Sequence, residues 1–283
     1  MHLLITGPTG YLGYNLCKSL AKTDITVHAI SRNAPPASRK VKSSNIFYYK
    51  LADIDIDKLI DINDIDGVIH CATSYGRDDD TLGTLQANLI FPLSILLKSI
   101  ESKVQFFINT DTILDKRVNS YSLSKKQFLD WLYYFKSDIN CFNLSLEHFY
   151  GPGDSVGKFT TFIIKELLNK IEYIDLTPGQ QKRDFIYIDD VVSGFCELEK
   201  KDFGEYKCYN LTNNKKITVE ELTQEIKNVV GKDISIIYDG STPGDQFGIY
   251  GDNYKISNET NWTPKISLKE GLKRMINWSK NNL

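Results

Sequence analysis

Two residues four apart, Tyr121 and Lys125, stand in the stretch Tyr121-Ser122-Leu123-Ser124-Lys125, which runs into a helical pattern carried by Phe128, Leu129, Leu132 and Phe135. Residues at i and i+4 share one face of a helix, so the Lys125 ammonium can stand beside the Tyr121 phenol. A neighbouring cation favours phenolate and is expected to draw the phenol's pKa down from about 10. Such a phenol can pass its proton to an oxygen. The preceding apolar run, residues 104–108 (VQFFI), has the length and composition of a buried strand, and it turns polar at Asn109-Thr110-Asp111-Thr112. Thr110, at that strand end, is the expected hydrogen-bonding companion of Tyr121. Thr110, Tyr121 and Lys125 are therefore the candidate catalytic residues. A YxxxK spacing also arises by chance in a chain rich in Lys and Tyr, so its weight rests on the elements around it.

The first of those elements lies at the N-terminus. Residues 2–6 read as a strand, Gly7-Pro8-Thr9-Gly10-Tyr11-Leu12-Gly13 follows at once, and residues 14–22 read as a helix with Leu16, Cys17 and Leu20 inward. Strand, glycine loop and helix in this order form a dinucleotide-binding fingerprint. Glycines let the backbone approach a pyrophosphate, whose charge sits at the helix N-terminus. Gly7, Thr9, Gly10, Tyr11, Leu12 and Gly13 are the expected contacts. The second strand, 26–30, ends in Ser31-Arg32 rather than in the carboxylate that bonds the ribose of NAD. An arginine there pairs with a 2′-phosphate, which points to NADPH. A third strand, 46–51, precedes Asp53 and Ile54, placed near the adenine. A fourth, 67–72, ends in small residues, with Cys71 and Ala72 close to the cofactor.

Between these strands, residues 53–66 alternate Asp with Ile and Leu and read as a short helix with a solvated acidic face, not a metal site. Residues 73–84, with Arg77-Asp78-Asp79-Asp80, read as a polar loop, and a long helix over 85–99 carries Asn88 inward. Later come a strand over 139–149, a helix over 159–169, a strand over 185–188, and a helix capped by Asp189-Asp190. Thr218 and Glu221 form a capping-box pattern, and the chain ends in an amphipathic helix. Strands alternating with helices predict an α/β, Rossmann-type doubly wound parallel sheet. The expected division is residues 1–150 as a dinucleotide-binding domain, with part of 183–215 returning to it, and 151–283 as a smaller α/β substrate domain.

A length of 283 residues, 41% hydrophobic and 25% charged content and a net charge of −2 are ordinary for a soluble enzyme and give no sign of nucleic-acid binding. The five cysteines (17, 71, 141, 196, 208) form no CxxC pair and suit reduced thiols. With no signal peptide visible and no apolar run of membrane-spanning length, the expectation is a cytoplasmic protein without membrane contact.

The motifs TGPTGYLG, NTD, YSLSK, YGPGD and RDFIYIDDV together resemble the extended short-chain dehydrogenase/reductase family, in its nucleotide-sugar branch. The likeness runs through nearly the whole chain, to the terminal NWTPKISLKEGL. Within the branch, LEHFYGPGD and RDFIYIDDVV look most like the NADPH-dependent 4-ketoreductases that make CDP-3,6-dideoxyhexoses, the CDP-abequose and CDP-paratose synthases. The resemblance implies that Thr110 bonds the substrate oxygen, that Tyr121 is the acid/base and that Lys125 binds the nicotinamide ribose. It implies substrate contacts at Thr73, Asp111, His148 and Arg183, the last clamping a diphosphate with its planar guanidinium. An Asp184 partner for Arg183 is the plainer alternative.

Two departures carry information. The related 4,6-dehydratases have an Asp-Glu pair after the Thr, and here Asp111 is followed by Thr112, so one partner of the elimination pair is missing. Where many relatives have Arg-Pro before YGPG, this chain has Ser145-Leu146. The expected activity is NADPH-dependent reduction of a 4-keto group on a nucleotide-linked 6-deoxy or 3,6-dideoxy hexose, for surface-polysaccharide sugar synthesis, by a homodimer. The rivals are a nucleotide-sugar epimerase with tightly held NAD and a non-catalytic NADP-binding regulator.

Overall fold

The computed structural model describes residues 1–76, 80–169, 173–176, 179–199, 204, 206–232, 235–238 and 251–282. In chain order the elements are β1 (His2–Thr6), α1 (Tyr11–Leu20), β2 (Thr26–Ser31), β3 (Ile46–Lys50), α2 (Ile56–Ile62), β4 (Gly67–His70), α3 (Thr81–Leu85), α4 (Phe91–Glu101), β5 (Phe106–Thr112) and α5 (Ser120–Tyr134). There follow β6 (Asn140–Leu146), β7 (His148–Tyr150), α6 (Phe159–Leu168), β8 (Tyr173–Leu176), β9 (Lys182–Tyr187), α7 (Ile188–Leu198), β10 (Lys207–Leu211), β11 (Lys216–Thr218), α8 (Val219–Val230), β12 (Ser235–Tyr238), α9 (Tyr254–Thr260) and α10 (Leu268–Asn282). The chain divides into two compact units, Met1–Leu146 with Val192–Tyr209, and Glu147–Val191 with Asn210–Leu283.

The first unit holds a sheet in the order β10-β6-β5-β4-β1-β2-β3. β1 pairs in parallel with β2 and β4, β2 with β3, and β5 with β4 and β6. The chain therefore runs outward from β1 in one direction, then returns and runs outward from β4 in the other. Right-handed crossovers then put α1 on one face and α4 and α5 on the opposite one, which is the doubly wound arrangement. Leu4, Ile30, Val68, Phe107 and Cys141 supply one face of the strands and pack with Leu59 and Ile60 of α2, Ile95 and Leu96 of α4, and Phe128 and Leu132 of α5. Each such fully buried side chain contributes about 1.5–3 kcal/mol relative to exposure. The direction of the chain reverses between β1 and β4, so their C-terminal ends open the crevice where α/β sheets bind ligands.

Three sequence expectations are corrected here. The apolar run expected as a strand over 104–108 does not end where it turns polar at Asn109–Thr112. β5 runs through that polar stretch, paired in register with β6 as far as Thr112 opposite Leu146. The strand expected over 139–149 is two strands, because the chain leaves the main sheet at Glu147 and β7 pairs with β9 in another. Thr81–Glu101 is a continuous helical path of 21 residues, long and apolar enough by length and composition to cross a membrane. Polar residues at 84, 86, 88, 94 and 98 interrupt it, so no unbroken apolar run stands out in the sequence. Ile95 and Leu96 from this helix lie in the core of the sheet.

In the second unit, β9 pairs in parallel with β7 and antiparallel with β11, and β8 pairs in parallel with β12. Helices α6, α8 and α10 pack on one another. Thr218 and Glu221 close a reciprocal capping box at the start of α8, as the sequence pattern predicts. Asp189 and Asp190 fall inside the first turn of α7 rather than before it. The Asp190 carboxylate accepts from the backbone N–H groups of Lys265 and Ile266, at 2.8 and 2.9 Å.

Candidate functional site

The glycine loop is built against the end of β4. Thr6 Oγ1 accepts from the N–H groups of Cys71 and Ala72, each at 3.1 Å, which binds the end of β1 to the chain after β4. Gly7 adopts φ +70, and a Cβ there would sit 2.7 Å from Ala72 N. A Cβ on Gly13 would overlap the Gly7 carbonyl oxygen. Gly7 N donates to Ile30 O at 3.0 Å, so the loop is also tied to the end of β2. The N-cap of α1 is Gly10, which offers no side-chain hydrogen bond to the first turn. The backbone N–H groups at such a helix start favour an anion. A side-chain-free cradle over an uncapped helix start fits the pyrophosphate of a dinucleotide, and Thr9, Tyr11 and Leu12 lie along it. Leu12 is buried, so it can meet a ligand only through its backbone.

Cys71 leads from the loop to the candidate catalytic residues. Thr110 Oγ1 donates to Cys71 Sγ at 3.6 Å, and Lys125 Nζ donates to the Thr110 carbonyl at 2.8 Å. Burial pushes the Cys71 thiol up to about 12, which leaves it protonated. Asn119 caps α5 through a capping box with Ser122, so Tyr121 sits in the first turn and Lys125 one turn on. Lys125 is buried, and desolvation brings its pKa down to about 8, with Asp111 acting the other way. The expectation that Lys125 lowers the Tyr121 pKa is overturned. Burial pushes the phenol up, the neighbouring Tyr75 adds to this, and a hydrogen bond from Thr112 opposes both. The hydroxyl on the phenol is thus that of Thr112, two residues along the same face of β5 from Thr110. Tyr75, half exposed, rests its ring 5.1 Å from that of Tyr121.

Asp111 points the other way, as alternation along a strand requires. Its side chain has no exposed surface and accepts from Lys126 Nζ at 2.7 Å, Asn143 Nδ2 at 3.0 Å, Ser145 Oγ at 3.4 Å and Thr112 N at 2.7 Å. Its lone pairs are taken by the protein. Thr73, the other expected substrate contact in this unit, donates its hydroxyl to Asn88 Oδ1 at 3.2 Å. Asn88 is fully buried in a π-helical turn, Gln86–Ile90, between α3 and α4. It also accepts from Ser74 N at 2.8 Å and donates to Ser74 O at 2.8 Å and to Ser124 Oγ at 3.0 Å. One amide thus holds the loop carrying Tyr75 to the helix carrying Tyr121. The sequence signal for it was an asparagine in an apolar helix, and the expectation that it points inward holds. Thr112 and Tyr75 carried no comparable signal.

At the outer strands, Ser31 Oγ donates to Asn33 O at 2.7 Å and Arg32 is exposed. Asp53 is exposed and 3.8 Å from Lys50 Nζ, whereas Ile54 packs against the core. Arg77, Asp78 and Asp79 of the polar loop lie outside the described residues, among which no group of three or more His, Cys, Asp or Glu could hold a metal. In the second unit, His148 is half exposed, with its ring 5.7 Å from that of Phe185 and Nδ1 3.8 Å from the buried Glu147 carboxylate. His148 lies opposite Phe185 in the β7–β9 register, and strand alternation puts Arg183 on the same face as Phe185. The Asp184 carboxylate accepts from the N–H groups of Asn213 and Lys215, at 2.8 and 2.9 Å, so the turn after β10 occupies it.

The description "NAD dependent epimerase/dehydratase family" matches residues 3–211. A CDP-abequose synthase of Salmonella muenchen is 31% identical, with 97% of this chain and 96% of that protein covered. A putative UDP-glucose 4-epimerase of Methanocaldococcus jannaschii is 27% identical, with 99% of each covered. Among solved structures, a UDP-glucose 4-epimerase of Thermotoga maritima with UDP-glucose superposes with a TM-score of 0.88 at 22% identity, covering 99% of each chain, and shares the fold.

Proposed function

The chain belongs to the NAD dependent epimerase/dehydratase family, and from that premise we propose that it reduces a 4-keto group on a nucleotide-linked 6-deoxy or 3,6-dideoxy hexose with NADPH. A nicotinamide dinucleotide held on the glycine loop would supply the hydride for the carbonyl carbon. Tyr121 holds the proton for the carbonyl oxygen, and its upward-shifted pKa keeps it a donor at neutral pH, which suits reduction. Thr112 orients the phenol, and Thr110 lies on the same face for the substrate oxygen. Lys125, anchored on the Thr110 carbonyl, would hold the ribose of the nicotinamide. Gly7, Gly10 and Gly13 leave room for the pyrophosphate, and Arg32 meets the 2′-phosphate. His148 and Arg183, sharing a face of the β7–β9 sheet, take the sugar-nucleotide diphosphate, the guanidinium as a bidentate donor. Residues 1–150, with the returning segment, then act as the NADP-binding domain and the later residues mainly as the sugar-nucleotide domain.

The observation that carries the reading is the group formed by half-buried Tyr121 with buried Thr112 and Lys125, reached from the glycine loop through Ala72, Cys71 and Thr110. The likeness to CDP-abequose synthase over nearly the full chain supports reduction. A buried Asp111 saturated by four donors, with Thr112 beside it, leaves no acid–base pair for eliminating water. Exposed Leu82, Ile90 and Leu97 near α3 and α4, and Leu123, Trp131 and Tyr134 on α5, support a homodimer through these helices.

The second reading, an epimerase with tightly held NAD, is favoured by the relative named a putative UDP-glucose 4-epimerase. Ser31-Arg32, without a carboxylate for the ribose hydroxyls, speaks against it. NADPH oxidation is the test, with CDP-, dTDP-, UDP- and GDP-linked 4-keto-6-deoxy sugars and the 3,6-dideoxy CDP ketosugar. Rapid oxidation with one of them supports the reductase and names its nucleotide. No oxidation with any, together with copurified NAD, transfers the reading to the epimerase.

A further inference from the structure

Between Asp24 and Asp53 the chain holds Arg32, Arg39, Lys40, Lys42 and Lys50 and no Asp or Glu. The segment after β2 returns to the glycine loop. Pro35-Pro36 leads into a 3₁₀ turn, Ala37–Arg39, closed by Arg39 N donating to Pro36 O at 2.8 Å. Its exit is pinned to β3, where Val41 N donates to Tyr48 Oη at 2.9 Å. In this frame the Arg39 guanidinium lies 5.5 Å from the centre of the Tyr11 ring and 5.3 Å from that of Tyr14. Both tyrosines belong to the first turn of α1, whose start is the glycine loop, and the loop is bonded to the end of β2 through Gly7 and Ile30.

We propose that Arg39 is a second cation for the adenosine 2′-phosphate of NADPH, positioned by stacking on Tyr11 and Tyr14 and acting together with Arg32. The inference rests on the NADPH reading above. In a dinucleotide fold the adenosine ribose lies between the glycine loop and the end of the second strand. Arg39 is carried to that place by a proline-stiffened turn, whereas Arg32 is exposed at the strand end. Stacking engages the face of a guanidinium and phosphate binding its edge, so one arginine can do both.

The test is calorimetric titration of wild type, R39A, R39K and R32A with NADPH, NADH, adenosine 2′,5′-bisphosphate and ADP, with no turnover needed. Arg39→Ala should weaken NADPH and the 2′,5′-bisphosphate at least tenfold, while NADH and ADP bind as to wild type. That unchanged pair also reports that the variant is folded. Arg39→Lys, which keeps the charge but loses the planar face, should fall between the two. A wild type that prefers NADPH and an R39A variant that keeps the preference overturn the inference alone. An R39K variant as tight as wild type overturns the stacked placement. A wild type indifferent to the 2′-phosphate overturns both this inference and the NADPH reading.

Discussion

Replacing Lys126 with methionine exposes what the Asp111 carboxylate does. The carboxylate is wholly buried and accepts from Lys126 at 2.7 Å. Removing one partner of a buried ion pair costs about 3–5 kcal/mol when the other charge is stranded. Asn143, Ser145 and the Thr112 N–H remain as donors, so the cost should fall near about 3 kcal/mol. Asp111→Asn removes the charge itself. Lys126, whose side chain keeps 23% exposure and also donates to Thr112 O at 2.7 Å, can turn to water. That variant should lose about 1.5–3 kcal/mol, the worth of a hydrogen bond to a charged group. Because the residues touch, the double variant should lose less than the sum of the single ones. Urea denaturation followed by the fluorescence of the three tryptophans measures this. Melting should confirm it, Lys126→Met falling by about 6–12 °C at about 2–4 °C per kcal/mol. Turnover of the folded fraction is measured alongside. If Asp111→Asn stays within about 0.5 kcal/mol of wild type yet loses turnover, the carboxylate works on substrate and the structural account is refuted.

The remaining predictions concern protons. Tyr121→Phe should lower turnover by about 10²–10⁴-fold while retaining NADPH binding, and unchanged turnover would assign the proton to another group. Lys125 has a pKa of about 8, so kcat/KM should decline as pH rises through that value and the ammonium loses its charge. A flat profile there would exclude a role for that charge. His28 is buried at the other end of the sheet, with Nε2 3.2 Å from His2 Nδ1 and Nδ1 3.1 Å from Tyr49 Oη. Desolvation and then the neighbouring His2 lower its pKa to about 4. The unfolded chain takes up this proton near pH 6.5 and the folded chain only near 4, so stability falls as pH drops across that window. The loss reaches about 3 kcal/mol at its lower end. Urea midpoints of His28→Phe should flatten between those pH values, and equal slopes in variant and wild type would place the acid sensitivity elsewhere.

The sequence by itself determined the parts of the site that depend on near neighbours along the chain. The strand–glycine loop–helix at 2–20, the one-turn spacing of Tyr121 and Lys125 and the capping box at Thr218 are such parts. Each is a property of a single turn or helix, and local sterics and hydrogen bonds specify it. Tertiary structure decided what depends on pairing and burial. Asn109–Thr112 reads as a polar strand end, yet β6 offers a partner as far as Leu146 and draws it into the sheet. That extension turns Asp111 inward to Lys126 and leaves Thr112 on the face of Tyr121. The Tyr121 pKa rises because burial outweighs the hydrogen bond from Thr112, and burial cannot be read from a spacing of four. The change of sheet at Glu147, the Asn88 clamp across the π turn and the return of Arg39 to Tyr11 and Tyr14 all join residues remote along the chain. Only a folded backbone sets the distances on which their chemistry depends.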